Sequence, residues 1–213
     1  MKKLIARLGP NDAGFTLAEV VVSILIVGIL GLSAAYLSIR ATQASASQQR
    51  ASLATTVAVQ AIEDVIARQA QTELSTGVTA LAAGRMNSAV TASWAAHSGY
   101  DITQSMYPIF DHTAVATSTP RVPITVTRSL GGTDFTVATL VGSCYRATAS
   151  GACTTVPGVL TRPATPPTGF VEAIRVAVIV EWTAGAGCSV EPCSYELVTM
   201  VDTNVDNEWL TNG

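Results

Sequence analysis

From Phe15 to Ile39 the chain is almost continuously apolar, with Glu19 its one charged residue before Arg40 closes the run. The uncharged stretch from 20 to 39 rises about 30 Å as a helix, the thickness of a hydrocarbon core. The helical pattern then continues. No Gly or Pro interrupts residues 38–71, and Leu53, Val57, Ala61, Ile62, Val65, Ile66 and Ala70 recur at the spacing of one helical face. Arg50, Gln60, Glu63, Asp64, Arg68 and Gln71 fall off that stripe. A single helix over residues 15–73, roughly 85–90 Å long, is predicted. Its first half needs an apolar surrounding, and its second half needs a domain to pack on.

Further on, the period changes from helical to alternating. Val122 to Thr127 alternates apolar and polar, although Pro123 confines it to an edge or a strand start. Gly131-Gly132 turns it into a second strand from Phe135 to Val141, a hairpin. A Pro/Thr/Gly-rich connection from Thr154 to Gly169 leads to the strongest strand, Val171 to Trp182. Ile174, Val176, Val178, Val180 and Trp182 share one of its faces, and Ile179 on the other face implies that this side is partly covered too. Tyr195 to Val201 is the last strand. The predicted fold class is α+β, with four antiparallel strands packed against the second half of the long helix.

Between helix and sheet, residues 74–120 carry Gly77, Gly84, Gly99, Pro108 and Pro120 among short mixed segments, and no single period fits them. His97 and His112 lie here with Asp101 and Asp111 nearby, but without ligand spacing on a defined element. They read as surface or hydrogen-bonded histidines. No nucleophile elbow, phosphate loop, metal helix or paired-carboxylate motif is visible anywhere in the chain. A non-enzymatic protein without cofactor or metal is expected.

Charge sharpens the picture at the N-terminus. Lys2, Lys3 and Arg7 precede the apolar run, and Gly9-Pro10-Asn11-Asp12 breaks any helix before it. The basic side of an apolar span stays in the cytoplasm, which places the rest of the chain outside. A carboxylate within an apolar span is costly and needs a partner. A cut between Gly14 and Phe15 would supply one, because Phe15 would then carry an α-ammonium four residues from Glu19. Cutting there removes three basic residues and one acidic, leaving nine basic (all Arg) against fourteen acidic, net −5. Such a surface gives no support for binding nucleic acid. It also holds no lysine, which excludes isopeptide cross-linking through this subunit.

The sequence Gly14-Phe15-Thr16-Leu17-Ala18-Glu19-Val20, followed by an apolar helix with Gly28, resembles the prepilin N-terminus of type IV pilins and type II secretion pseudopilins. The resemblance covers roughly residues 1–40. It implies that Gly14 ends a leader of residues 1–14 cut by prepilin peptidase, and that Phe15 becomes the N-methylated N-terminus. Glu19, with Thr16 and Leu17 beside it, would pair with the N-terminus of an adjacent subunit during filament assembly on a membrane platform. Tyr36 stands where many major pilins have a proline, so a helix break there is not implied.

The family shape would be a lollipop. Residues 15–40 would form the transmembrane or filament-core half of the helix and 41–73 its amphipathic half. Residues 74–120 would be a variable region and 121–213 a sheet with a disulfide-stapled end. Val after Glu19, and the chain's size, are more similar to minor pilins than to the commonest major ones. The implied function is a minor pilin of a type IV pilus, stored as a single-pass membrane protein and then carried to the cell surface. A pseudopilin or a DNA-uptake pilin is the near alternative. A cleavable secretory signal fits poorly because the run is too long and carries Glu19. An uncleaved signal anchor on a surface domain explains the length but leaves Glu19 unpaired.

Two smaller features complete the reading. Gly31 and Ala35, one turn apart, with Gly28 nearby, allow close helix–helix approach in an apolar medium, although glycine is common in membrane helices. Cys144, Cys153, Cys188 and Cys193 all lie in the part placed outside the cytoplasm, where disulfides persist. Three pairings are open. The local one, Cys144–Cys153 with Cys188–Cys193, is favoured because both pairs flank turn-like sequence.

Overall fold

A computed structural model describes residues 16–70, 77–148, 151–183, 188 and 192–201. The chain divides into two compact units, Met1–Ala46 and Ser47–Gly213. Helix α1 (Leu17–Ala70) contributes to both. In the first unit the described residues are the start of α1, and every one of them is exposed.

In the second unit the rest of α1 lies against a sheet. Strands β2 (Thr125–Leu130), β3 (Thr133–Ala147), β4 (Phe170–Trp182) and β5 (Cys193–Val201) follow one another antiparallel. A two-residue strand, β1 (Tyr107–Pro108), shares the outer edge of β3 with β2. This fifth strand is an addition to the four predicted. The first predicted strand is also displaced, from 122–127 to Thr125–Leu130. The displacement has local causes. Leu130 pairs with Thr133 across Gly131 and Gly132, whose φ values are +60° and +74°. A two-residue turn with two left-handed positions fixes the register from the turn end, and Pro123 has no N–H with which to extend the ladder upstream.

The sheet buries both faces. On one, Ala54, Val57, Ala58, Ala61 and Ile62 of α1 pack against Phe135, Val137, Val178, Val180 and Trp182. Val65 continues this layer with Val141, Ile174, Val176 and Val201, together with Leu81 and Ala82 of the short helix α2 (Gly77–Ala82). On the other face, Ala138, Leu140, Ala177 and Ile179 meet Ile102 and Met106. Two short helices bound that cover, α3 (Asn87–Ala96) and α4 (Asp101–Gln104). The stretch that showed no period therefore serves both faces in turn, α2 one and α4 the other.

The passage between the faces is pinned by polar contacts. Arg85 is fully buried and donates from Nη1 to the carbonyl of Val122 at 3.0 Å and from Nη2 to that of Thr139 at 2.6 Å. Burial lowers its guanidinium to about 10, so it remains a cation at neutral pH. Asp111 braces the same turn. Its carboxylate accepts from the Thr113 hydroxyl at 2.6 Å, the Gly84 N–H at 2.9 Å and the Thr113 N–H at 2.8 Å.

These bonds, the Thr113 hydroxyl first, lower the Asp111 carboxyl from 3.8 to about 2. A carboxyl depressed by folding stabilises fully above its ordinary value, and that contribution is lost as pH falls through the folded one. Asp111→Asn is therefore expected to flatten the dependence of melting temperature on pH between 3.8 and about 2. An unchanged slope in that window would show that Asp111 does not couple this turn to protonation.

Candidate functional site

The functional residues read from the sequence gather at the start of α1, where Gly14 and Phe15 lie outside the described residues. Thr16 precedes the first helical residue. Its hydroxyl accepts the Glu19 N–H at 3.3 Å, and its carbonyl accepts those of Glu19 at 3.0 Å and Val20 at 3.2 Å. That is an N-cap, and Thr16-Leu17-Ala18-Glu19 has the capping-box spacing with the acid at the third helical position. The sequence reading missed this pattern, although the four residues display it. Glu19 thus has a local reason to stand where it does, since a carboxylate in the first turn also suits the helix dipole. The side chain is nonetheless exposed, and so is Leu17.

Beyond that turn several hydroxyls bond back to the helix itself. The Ser23 hydroxyl donates to the Glu19 carbonyl at 2.7 Å, Ser33 to Ile29 at 2.9 Å and Thr42 to Ile39 at 2.8 Å. Hydroxyls bonded back to the helix leave few polar groups needing water, which is the condition for lying in hydrocarbon. The described helix is long and apolar enough to cross a membrane, with a mean hydropathy of 2.5 in its most apolar window. Gly28, Gly31 and Ala35 fall within about 60° of one another around the axis. A Cβ placed on either glycine would meet nothing within 4 Å, so the surface they form is open to a neighbouring helix.

In the second unit the disulfides join Cys144 to Cys153 and Cys188 to Cys193. The first is buried beside Ala177 and Ile179 and ties the loop after β3 to the sheet. That loop forms one wall of an open groove of about 580 Å³, with Leu160, Arg162 and Pro163 facing Tyr107, Phe110 and His112. Arg162 is engaged with Glu172 at 2.8 Å. The Tyr107 hydroxyl donates to the Val159 carbonyl at 2.7 Å.

The two histidines are placed apart in role. His97 ends α3, buried, with Nδ1 2.7 Å from the Ser93 carbonyl and Nε2 3.9 Å from the Glu181 carboxylate. Its Nδ1 proton is committed to a backbone carbonyl, and the group facing Nε2 is a carboxylate rather than a nucleophile. His112 packs on Phe110 with ring centroids 4.6 Å apart. Among the described residues no group of three or more His, Cys, Asp or Glu could hold a metal ion.

Residues 9–35 match the family model described as the prokaryotic N-terminal methylation motif, the signature of type IV pilins and pseudopilins. No curated protein and no solved structure matches the chain. That motif supports a pilin-like or pseudopilin-like protein, and it implies processing by prepilin peptidase and assembly with other pilins.

Proposed function

We propose that the chain is a minor pilin of a type IV pilus. Prepilin peptidase cuts between Gly14 and Phe15, Phe15 is N-methylated, and the α-ammonium of one subunit meets Glu19 of the next as the helix leaves the membrane. The observation that carries the reading is a coincidence at one helix end. The methylation motif at 9–35 overlaps an exposed carboxylate at the head of an apolar helical stretch, residues 17–46 of α1, that buries nothing within its own unit. An apolar helix face exposed along its whole length needs lipid or other helices. Gly28, Gly31 and Ala35 would set the close approach between helices. No lysine follows Lys3, so the filament is non-covalent at this subunit. The two disulfides stiffen the part that would face the exterior.

The reading predicts where the chain is found. In cells that display pili, filaments sheared from the surface should contain it as a small fraction relative to a major subunit, measured by quantitative mass spectrometry. Complete retention in the membrane fraction while filaments are sheared off would contradict the pilus assignment and favour a pseudopilin.

A further inference from the structure

The apolar run of α1 ends in a paired aromatic and cation to which the proposed function gives no part. Tyr36 and Arg40 lie one helical turn apart, both exposed. The Arg40 Nε–H donates to the Tyr36 hydroxyl at 3.0 Å, and the guanidinium carbon stands 5.2 Å from the ring centroid. Tyr36 is the one aromatic residue from 16 to 40, and Arg40 is the first charge after Glu19. Among the described residues, no hydrogen bond or ion pair engages the Nη groups of Arg40.

The position of the pair says what would meet it. The uncharged residues from 20 to 39 span about 30 Å, so a helix crossing a bilayer brings Tyr36 and Arg40 to the boundary between hydrocarbon and headgroups. A tyrosine ring settles there with its body in the apolar layer and its hydroxyl among the headgroups. Arginine extends its stem along the same boundary. With Nε committed to the hydroxyl, the guanidinium is held in one orientation, and its Nη edge offers the parallel N–H bonds that match a phosphate. The ring below also shields the cation from the apolar side and attracts it.

We infer that Tyr36 and Arg40 form a clamp for the phosphate of a lipid headgroup on the non-cytoplasmic face, which sets how deeply the stored subunit sits. Tyr36 orients the guanidinium, and Arg40 holds the phosphate. The inference rests on the membrane-stored state in the proposed function. It adds a contact that must be released when the subunit is extracted.

The test uses the full chain, labelled at the arginine Cζ carbons and reconstituted in vesicles of phosphatidylglycerol and phosphatidylcholine. Solid-state NMR then reads the dipolar coupling between Cζ and lipid phosphorus. The wild-type spectrum should hold a coupled component that is lost in Arg40→Gln and weakened in Tyr36→Phe. Phosphate-free glycolipid vesicles supplied with inorganic phosphate should show no coupled component for Arg40.

A coupled signal that is unchanged in Arg40→Gln, with both proteins floating with the vesicles, would overturn the clamp and leave the membrane reading standing. Coupling to inorganic phosphate in the glycolipid vesicles would overturn the assignment to a headgroup. A wild-type chain that fails to float with vesicles would overturn the membrane-stored state and the clamp with it.

Discussion

Glu19→Gln is expected to remove the chain from filaments while leaving its helix intact and its membrane insertion unchanged. The reasoning separates two roles of one side chain. Thr16 caps α1, and Glu19 stands at the capping-box position, so an alanine there would disturb the helix start as well as the charge. Glutamine also satisfies a capping box and removes only the charge. In the proposed filament the carboxylate meets the α-ammonium of a neighbouring Phe15 inside an apolar bundle. Breaking such a buried pair costs ~3–5 kcal/mol because the remaining charge is stranded. At about 1.4 kcal/mol per tenfold, incorporation should fall by more than a hundredfold. Glu19→Asp, which keeps the charge on a shorter stem, should recover part of the loss. The readout is the ratio of the subunit in sheared filaments to that in membranes. Equal incorporation of wild type and Glu19→Gln would mean that Glu19 serves the helix cap alone.

Phe135→Ala should be the most damaging single truncation in the second unit, destabilising it by about 3–5 kcal/mol. Phe135 is fully buried and pairs with Arg128 on β2 and Trp182 on β4. Its ring lies 5.9 Å from that of Trp182, in the layer that receives Ala54, Val57 and Ala58 of α1. The neighbours facing it are small alanines and stiff β-branched residues, which fill a cavity poorly. Leu160→Ala is the matched control. That side chain is 97% exposed and should change stability by less than about 0.5 kcal/mol. Thermal unfolding of the full chain in detergent distinguishes them. Equal midpoints for the two variants would contradict the packing of α1 on β3 and β4.

The parts of the fold governed by one period were legible in the sequence. The face of β4 from Ile174 to Trp182 is buried as its alternation implied, and the covered second face inferred from Ile179 is formed with Ala177 beneath Ile102. Among the residues whose side chains are described, which leave out Ala70, the stripe on α1 was legible with one error. Ile66 was assigned to it but is 47% exposed, because nine helical residues place it half a turn from buried Val57.

Contacts between distant segments left weaker traces. β1 has two residues, one of them proline, and no pattern to read. It is held by tertiary fit at Gly142, where a Cβ would stand 2.7 Å from the Tyr107 carbonyl oxygen. Arg85 looks like any surface arginine in sequence, and its burial depends on carbonyls 37 and 54 residues away. At the N-terminus, by contrast, the matched motif is one continuous run of sequence, residues 9–35, so a linear reading reached it without the fold.

The central claim is that this chain is matured at Gly14–Phe15, and the mass of its N-terminal peptide from native membranes tests that most directly. The account predicts a peptide beginning at methylated Phe15. A peptide retaining Met1 or Lys2, from cells with an active prepilin peptidase, would contradict it and leave an uncleaved anchor with Glu19 as a helix cap.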